Sequence, residues 1–318
     1  MPSVPGGLLD VAARSPRSAL AIGRTHSAIL VATWNGAVWK TLSDPALPRL
    51  SALGAVAVYP GGGWAVGEYG LTDHGDGGGT AWHLIVRVTG TTVRRVPVPG
   101  PAYGSLQDVA ATSATDAWAV GSIFKYVPLI LHWNGTTWKR AELPARIGRG
   151  AFYSVAATSA TNAWAVLSPQ HGSRSRIVHW NGRRWGDVVA SPAIEKRYGI
   201  TKLAATSATN LWALGAAGAI LHWNGQQWTC ALTKDNLFSV STSSADNAWA
   251  VGFSGYGPWA VAWHWNGHVW KEVTFPTGAS GEPFLQGVAA IPQSGRAWAV
   301  GGTNDGTLML HWNGTAWH

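Results

Sequence analysis

Short apolar runs separated by polar turns recur along the whole chain. In the stretch from Val109-Ala-Ala-Thr-Ser-Ala-Thr-Asp-Ala-Trp118-Ala-Val-Gly121 to Leu129-Ile-Leu-His-Trp133-Asn-Gly-Thr-Thr-Trp138, four segments have strand composition: 107–112, 117–121, 129–133 and 137–141. Ser-Ala-Thr-Asp makes one tight connection between them. Asn134-Gly135 predicts another, a type I′ hairpin, whose two central residues both need positive φ.

The same pattern repeats at a fixed spacing. Its first anchor falls at Leu20, Trp64, Trp118, Trp164, Trp212, Trp249 and Trp298, and its second at Trp34, Val88, Trp133, Trp180, Trp223, Trp265 and Trp312. A third follows five residues later, at Trp39, Val93, Trp138, Trp185, Trp228, Trp270 and Trp317. Seven repeats of about 46 residues result, with Leu20, Val88 and Val93 as the degenerate copies. Four antiparallel strands per repeat predict an all-β fold, a seven-bladed β-propeller spanning residues 1–318 as one domain. The last repeat stops at Trp317-His318. The segment Met1-Pro-Ser-Val-Pro5 resembles the missing continuation, so the N-terminus is expected to complete or cover the outer strand of the last blade.

Eighteen of the 21 Trp occupy the three anchor columns. A side chain demanded identically in six blades serves the packing between neighbouring sheets better than it serves one ligand. His132, His179, His222, His264 and His311 precede Trp-Asn-Gly in five blades, and propeller symmetry spreads them around the ring rather than gathering them on a metal. The sequons at Asn134 and Asn313 are explained by the hairpin.

Hydrophobic residues make up 46% of the chain and charged ones only 12%, which excludes a disordered or coiled-coil protein. No 18-residue apolar run is present to span a membrane, and the first residues lack a secretory leader pattern. As written, the chain is therefore expected to be cytoplasmic, although a secreted form trimmed of its signal would look the same. The lone Cys230 cannot form an internal disulfide. Neither a cofactor nor a partner subunit is implied, so a monomer is expected.

The Trp-Asn-Gly-x-x-Trp hairpins resemble the Gly-x-x-Trp turns of Asp-box propellers such as sialidases, and the Trp-rich repeats look like those of tectonin-type lectin propellers. The Ser-x-Asp of the Asp-box is absent before the turn. Sialidase chemistry implies a cluster of arginines with a Tyr and acids, which these repeats do not supply residue by residue.

Where repeats agree they mark scaffold, and where they diverge they mark function. The connections between first and second strands, and between third and fourth, are nearly uniform. The other two kinds, between second and third strands and between blades, vary in length and chemistry, and both emerge on one face of an up-and-down blade. That variable face, at the mouth of the central channel, is the expected ligand site. Its loops carry Tyr126, Arg149, Arg174, Arg176 and Tyr256, and in blade 2 the run Asp73-His74-Gly-Asp76, which is either a metal site or a Gly-rich loop but fits no calcium-loop spacing. Trp82 and Trp259 lie outside the anchors, each six residues before the second one. They either cap longer loops or offer rings to a ligand, whereas Trp263 is expected to face the core.

One position before the Val of Val-Ala-Ala, the blades present Asp10, Ala55, Asp108, Ser154, Lys202, Ser239 and Gly287. Two carboxylates and a Lys in one channel either do acid/base work or solvate a wet channel. Residues 139–202 hold 11 Lys or Arg against three acids, the whole of the net charge of +8. An anionic small molecule or glycan fits that sector better than nucleic acid, which needs a longer basic track. The chain has no P-loop, dinucleotide fingerprint, HExxH or nucleophile elbow. Two readings stand: a binding propeller, lectin-like or for small molecules, with one asymmetric site; or an enzyme, a hydrolase, lyase or cyclase, using Asp108, Glu68, Lys202 or Tyr153.

Overall fold

The computed structural model describes all residues except 1–5, 26–27, 45–46, 49, 73–79, 101–102, 172–174, 188–197, 255–258, 276–281 and 305, and the side chains of 71, 72, 80 and 187. It is a seven-bladed propeller of antiparallel sheets. Blade 3 is representative. Its strands Gly104–Ser113, Asp116–Ile123, Val127–Trp133 and Trp138–Arg140 run in sequence order from the axis outward. The second strand, Asp116–Ile123, is buried through its first six residues because neighbouring blades cover both its faces. Its Ala-Trp-Ala-Val run is accordingly continuous, without the alternation of a half-exposed strand.

The Trp columns fill the blade boundaries. Trp118 of blade 3 lies against Trp180 and Trp185 of blade 4, with ring centroids 5.4 and 5.2 Å apart, the second pair edge to face. The same triad joins Trp64 to Trp133 and Trp138, Trp212 to Trp265 and Trp270, and Trp249 to Trp312 and Trp317. Edge-to-face rings gain beyond the area they bury. The recurring His stacks on the other side of the first-anchor Trp of its own blade, 4.0 Å from Trp118 for His132 and 3.9 Å from Trp212 for His222. Its Nε2 bonds Asp116, Asn162, Asn210 or Asn247 at the start of the second strand. These histidines are scaffold. Second-anchor indoles such as Trp133 donate Nε1–H to the carbonyl of the tight turn in the same blade, here Ala114 at 3.1 Å, which ties two hairpins together.

The Asn-Gly hairpin is not a two-residue type I′ turn. Trp133 pairs directly with Trp138, leaving a four-residue loop in which Gly135 has φ 97° and Asn134 keeps an ordinary φ. The side-chain Oδ1 of Asn134 accepts the N–H of Thr136 and of Thr137, at 3.1 and 3.0 Å. Once the Asn caps the tip with its own carbonyl, only the Gly has to be left-handed.

Every inner strand carries a β-bulge, one residue before the ring position of the sequence. The extra residues are Leu9, Gly54, Gln107, Tyr153, Thr201, Phe238 and Gln286. The bulge also explains the Gly of Ala-Val-Gly: a Cβ on Gly121 would sit 2.1 Å from the carbonyl oxygen of Ser105.

The ring closes as its other boundaries do. Trp298 of blade 7 packs on Trp34 and Trp39 of blade 1, both at 5.2 Å. The outer edge of blade 7, whose sheet has three long strands, is paired by the end of the chain, through a Trp312 to Trp317 bridge and two backbone bonds between His311 and His318. The segment 1–5, expected at this edge, lies outside the described residues. Among the described residues, no helix is long and apolar enough to cross a membrane.

Candidate functional site

After the bulge one residue per blade faces the axis, a glycine, Gly287, in blade 7, and four of the side chains at these positions stitch neighbouring blades together. Asp10 accepts the N–H of Val56 in blade 2 at 2.9 Å and that of its own neighbour Val11 at 2.9 Å. Asp108 does the same with Val155 of blade 4 and with Val109, both at 3.0 Å. Ser154 accepts from Leu203 of blade 5 at 3.0 Å, and Ser239 from Val288 of blade 7 at 3.2 Å.

Lys202 breaks this pattern because an ammonium group has no lone pair to offer an N–H. Its Nζ instead lies 3.1 Å from Asp108 Oδ2, an oxygen that also accepts the Ser154 hydroxyl at 2.8 Å. Lys202 belongs to blade 5 and Asp108 to blade 3, so the pair spans blade 4. From this ring a cavity of about 260 Å³ extends toward the tight-turn face, walled by small side chains such as Ala13, Ala111, Ala157 and Ala205 from the inner strands.

The electrostatics of the ring are unequal. Burial pushes the Asp10 carboxyl up to about 6, with Asp108 adding to the effect while Lys202 and the N–H groups of Val56 and Val11 oppose it. For Lys202, burial works against the charge, but the combined pull of Asp108 and Asp10 outweighs it and holds the ammonium above its usual range.

This has a pH consequence. The folded-state pKa of Asp10 lies above its unfolded value of 3.8, so the folded chain holds the proton more tightly. The stability this gives is full below pH 3.8 and declines as pH rises through about 6, by at most about 3 kcal/mol. Urea unfolding between pH 4 and 7 is expected to show that decline in the native protein and a flatter profile in Asp10→Asn. Equal slopes in both would remove Asp10 as its source.

The other expected site residues are distributed as follows. Tyr153 is a bulge residue, 46% exposed and next to Ser154 on the variable-face side of the ring. Glu68 stands apart in the second strand of blade 2, paired with Ala52 and His83, and burial pushes its carboxyl up. Trp82 is half-buried in an aromatic stack, 4.1 Å from Tyr103 and 6.3 Å from Tyr69, with the Arg95 guanidinium over the Tyr69 ring. Trp259 is 62% exposed. Tyr126 is exposed on a left-handed turn whose Lys125 carbonyl accepts Arg149 Nη1 at 2.7 Å, so Arg149 braces a loop. Arg176 likewise donates to the Ile147 carbonyl at 2.8 Å. Trp263 is partly buried against the core and donates Nε1–H to Asp235 at 2.8 Å. Arg174, Tyr256 and the Asp73, His74, Asp76 run lie outside the described residues. Among the described residues, no group of three or more His, Cys, Asp or Glu is placed to hold a metal.

Two residues were not anticipated. Phe238 is 40% exposed at the bulge position of blade 6, equivalent to Tyr153 of blade 4. Shifting the repeat alignment one position before the ring would have exposed both. His83 is buried between blades 2 and 3, its Nε2 3.0 Å from the Ser122 carbonyl, and burial lowers its pKa. It occupies no repeated column, so nothing in the sequence pattern singled it out.

No family model matches the chain, and no curated protein matches it. Solved structures share its fold. A structure of YCF48 bound to D1 peptide superposes with a TM-score of 0.65 at 14% identity, covering 98% of this chain and 94% of that one. YCF48 from Cyanidioschyzon merolae gives 0.64 at 14% identity, over 98% and 96% of the two chains. A GH74 xyloglucanase from Xanthomonas campestris gives 0.68 at 15% identity, over 98% of this chain but only 52% of the enzyme. At such identities the likeness establishes the seven-bladed β-propeller fold, which this chain shares with both a peptide-bound propeller and a glycoside hydrolase.

Proposed function

We propose that the protein is a ligand-binding propeller with one asymmetric site on the variable face, taking a small molecule or glycan. One observation carries this reading. Among the described residues, the strongly exposed aromatics are Tyr103, Phe124, Tyr126, Tyr153, Phe238 and Trp259, and each stands in a variable connection or at a bulge on the variable-face side of the ring. Among the described residues, the tight-turn face exposes only Val38 and Val269 at hairpin tips among its large apolar side chains. Exposed rings concentrated on one face suit stacking on sugar or other ring faces, and aromatic residues carry much of the energy of binding sites. They are unevenly spread, three in or just before blade 3, one in blade 4 and two in blade 6, which favours a single site over seven equivalent ones. The basic sector of residues 139–202 favours an anionic ligand.

The test is a glycan array with neutral, sialylated and sulfated members, followed by titration of any hit. Trp259→Ala and Tyr153→Ala are each expected to weaken binding at least ~10-fold with the melting temperature unchanged. A hit indifferent to these and to Tyr126→Ala, or occupancy of several equivalent pockets between blades, sinks the single-site reading.

The enzymatic alternative rests on the Asp10 carboxyl, held near 6 beside Lys202 and Asp108, in the range where a general acid works near neutral pH. Turnover of a discovered substrate that survives both Asp10→Asn and Asp108→Asn would remove it.

A further inference from the structure

The blade 1 to blade 2 boundary departs from the other boundaries. Elsewhere a first-anchor Trp meets two indoles of the next blade and, where the His column is kept, carries a stacked imidazole on its other side. Here the first anchor is Leu20, the residue in the His column is Thr33, and the facing anchors are Val88 and Val93. Two of these four ring positions belong to blade 1 and two to blade 2, yet all converge on one boundary. The residue before the first anchor is Gly63 in blade 2, where most blades have Ala. A Cβ there would lie 2.7 Å from Leu20 Cδ2, so Leu20 has moved into the space the glycine leaves.

Replacing four aromatic rings by Leu, Thr and two Val leaves more room than the neighbours refill. A pocket of about 420 Å³ opens there on the tight-turn face, within the range of small-molecule sites. Leu20 and Val88, both buried, line it together with Thr33 and Val58, while Lys40 and Thr91 are among the polar residues at its rim. Apolar cavities made by removing large side chains stay available to flat aromatic guests.

We infer that the boundary between blades 1 and 2 is a second binding site, which takes a free planar aromatic molecule of about the size of indole. The other boundaries supply the template, since the equivalent space there is filled by indole rings of the chain itself. The rim argues for a free molecule over the Trp of a partner protein. Apart from the half-buried Trp34, it is made of Ser18, Asn35, Lys40, Gly90 and Thr91, polar or small residues rather than the apolar centre that a protein interface presents.

The test is calorimetric titration of the full chain with indole, N-acetyltryptophanamide and cyclohexanol, backed by a crystal soaked in indole. Indole is expected to bind saturably with a Kd of about 1 mM or tighter, at least ~10-fold better than the non-planar cyclohexanol. The triple variant Leu20→Trp, Val88→Trp, Val93→Trp rebuilds the missing triad and is expected to lose that binding. If it does not fold, Val58→Phe narrows the pocket from its wall and should weaken indole at least ~10-fold. The proposal fails if the native chain does not saturate, if binding survives in a folded filled variant, or if indole density lies only elsewhere. N-acetyltryptophanamide binding much tighter than indole overturns the choice of a free molecule.

Discussion

Replacing Lys202 with Met is expected to destabilise the protein by about 3 kcal/mol at pH 8. Removing one member of a buried ion pair typically costs about 3–5 kcal/mol because the remaining charge stays buried without its partner. The lower end applies here. The Lys202 side chain is 23% exposed, and Asp108 keeps three other donors in Val109, Val155 and Ser154. The loss should also depend on pH. Lys202 is the charge that holds the Asp10 carboxyl down against burial. Without it, Asp10 takes up a proton at still higher pH, which relieves the cluster. The difference between native protein and variant should therefore be smaller at pH 5 than at pH 8. Urea unfolding at both pH values measures this. A loss below about 1 kcal/mol at pH 8 would mean that solvent in the channel already screens the pair.

A loss of about 3–5 kcal/mol is likewise expected from Trp118→Ala, the range for truncating a large aromatic side chain in a core. Trp118 is 1% exposed and is held on one side by His132 and on the other by Trp180 and Trp185. Its removal opens a cavity at the boundary of blades 3 and 4 and strips the stacking surface from His132. The surrounding rings are rigid and pinned by their own contacts, so collapse around the gap should be slight. Trp259→Ala is the control: with the indole 62% exposed, stability should change by no more than about 0.5 kcal/mol. If the two substitutions proved equally mild, the Trp columns would not be the principal cohesion between blades.

Blade number, strand composition and the division of tryptophans into scaffold and exceptions were all legible in the sequence. The reason is physical. Each blade meets nearly the same surroundings, so packing demands the same side chain at the same place in every repeat, and the demand surfaces as a period. Trp118 and His132 could be assigned to scaffold on that ground alone. The hairpin was read only in part. The Asn-Gly pair marked the turn, but whether Asn is left-handed or caps the loop with its side chain depends on the pairing of Trp133 with Trp138.

What the tertiary structure decided lies between blades. The sequence put Asp10, Asp108 and Lys202 in one column, yet a column does not say which members touch. Only the packing of blades 3, 4 and 5 on one another brings Lys202 to Asp108, past the intervening Ser154. The offset of the Trp triads, one anchor from a blade and two from the next, is equally invisible in a single repeat. Leu20, Thr33, Val88 and Val93 therefore look like scattered lapses in two repeats; only when the boundary is assembled do they meet, with Leu20, Thr33 and Val88 lining one pocket and Val93 packed in the core beside it. The period is written by interactions that every blade shares. The sites are written by the few residues that break it, and where those residues meet is fixed by the packing of one blade on the next.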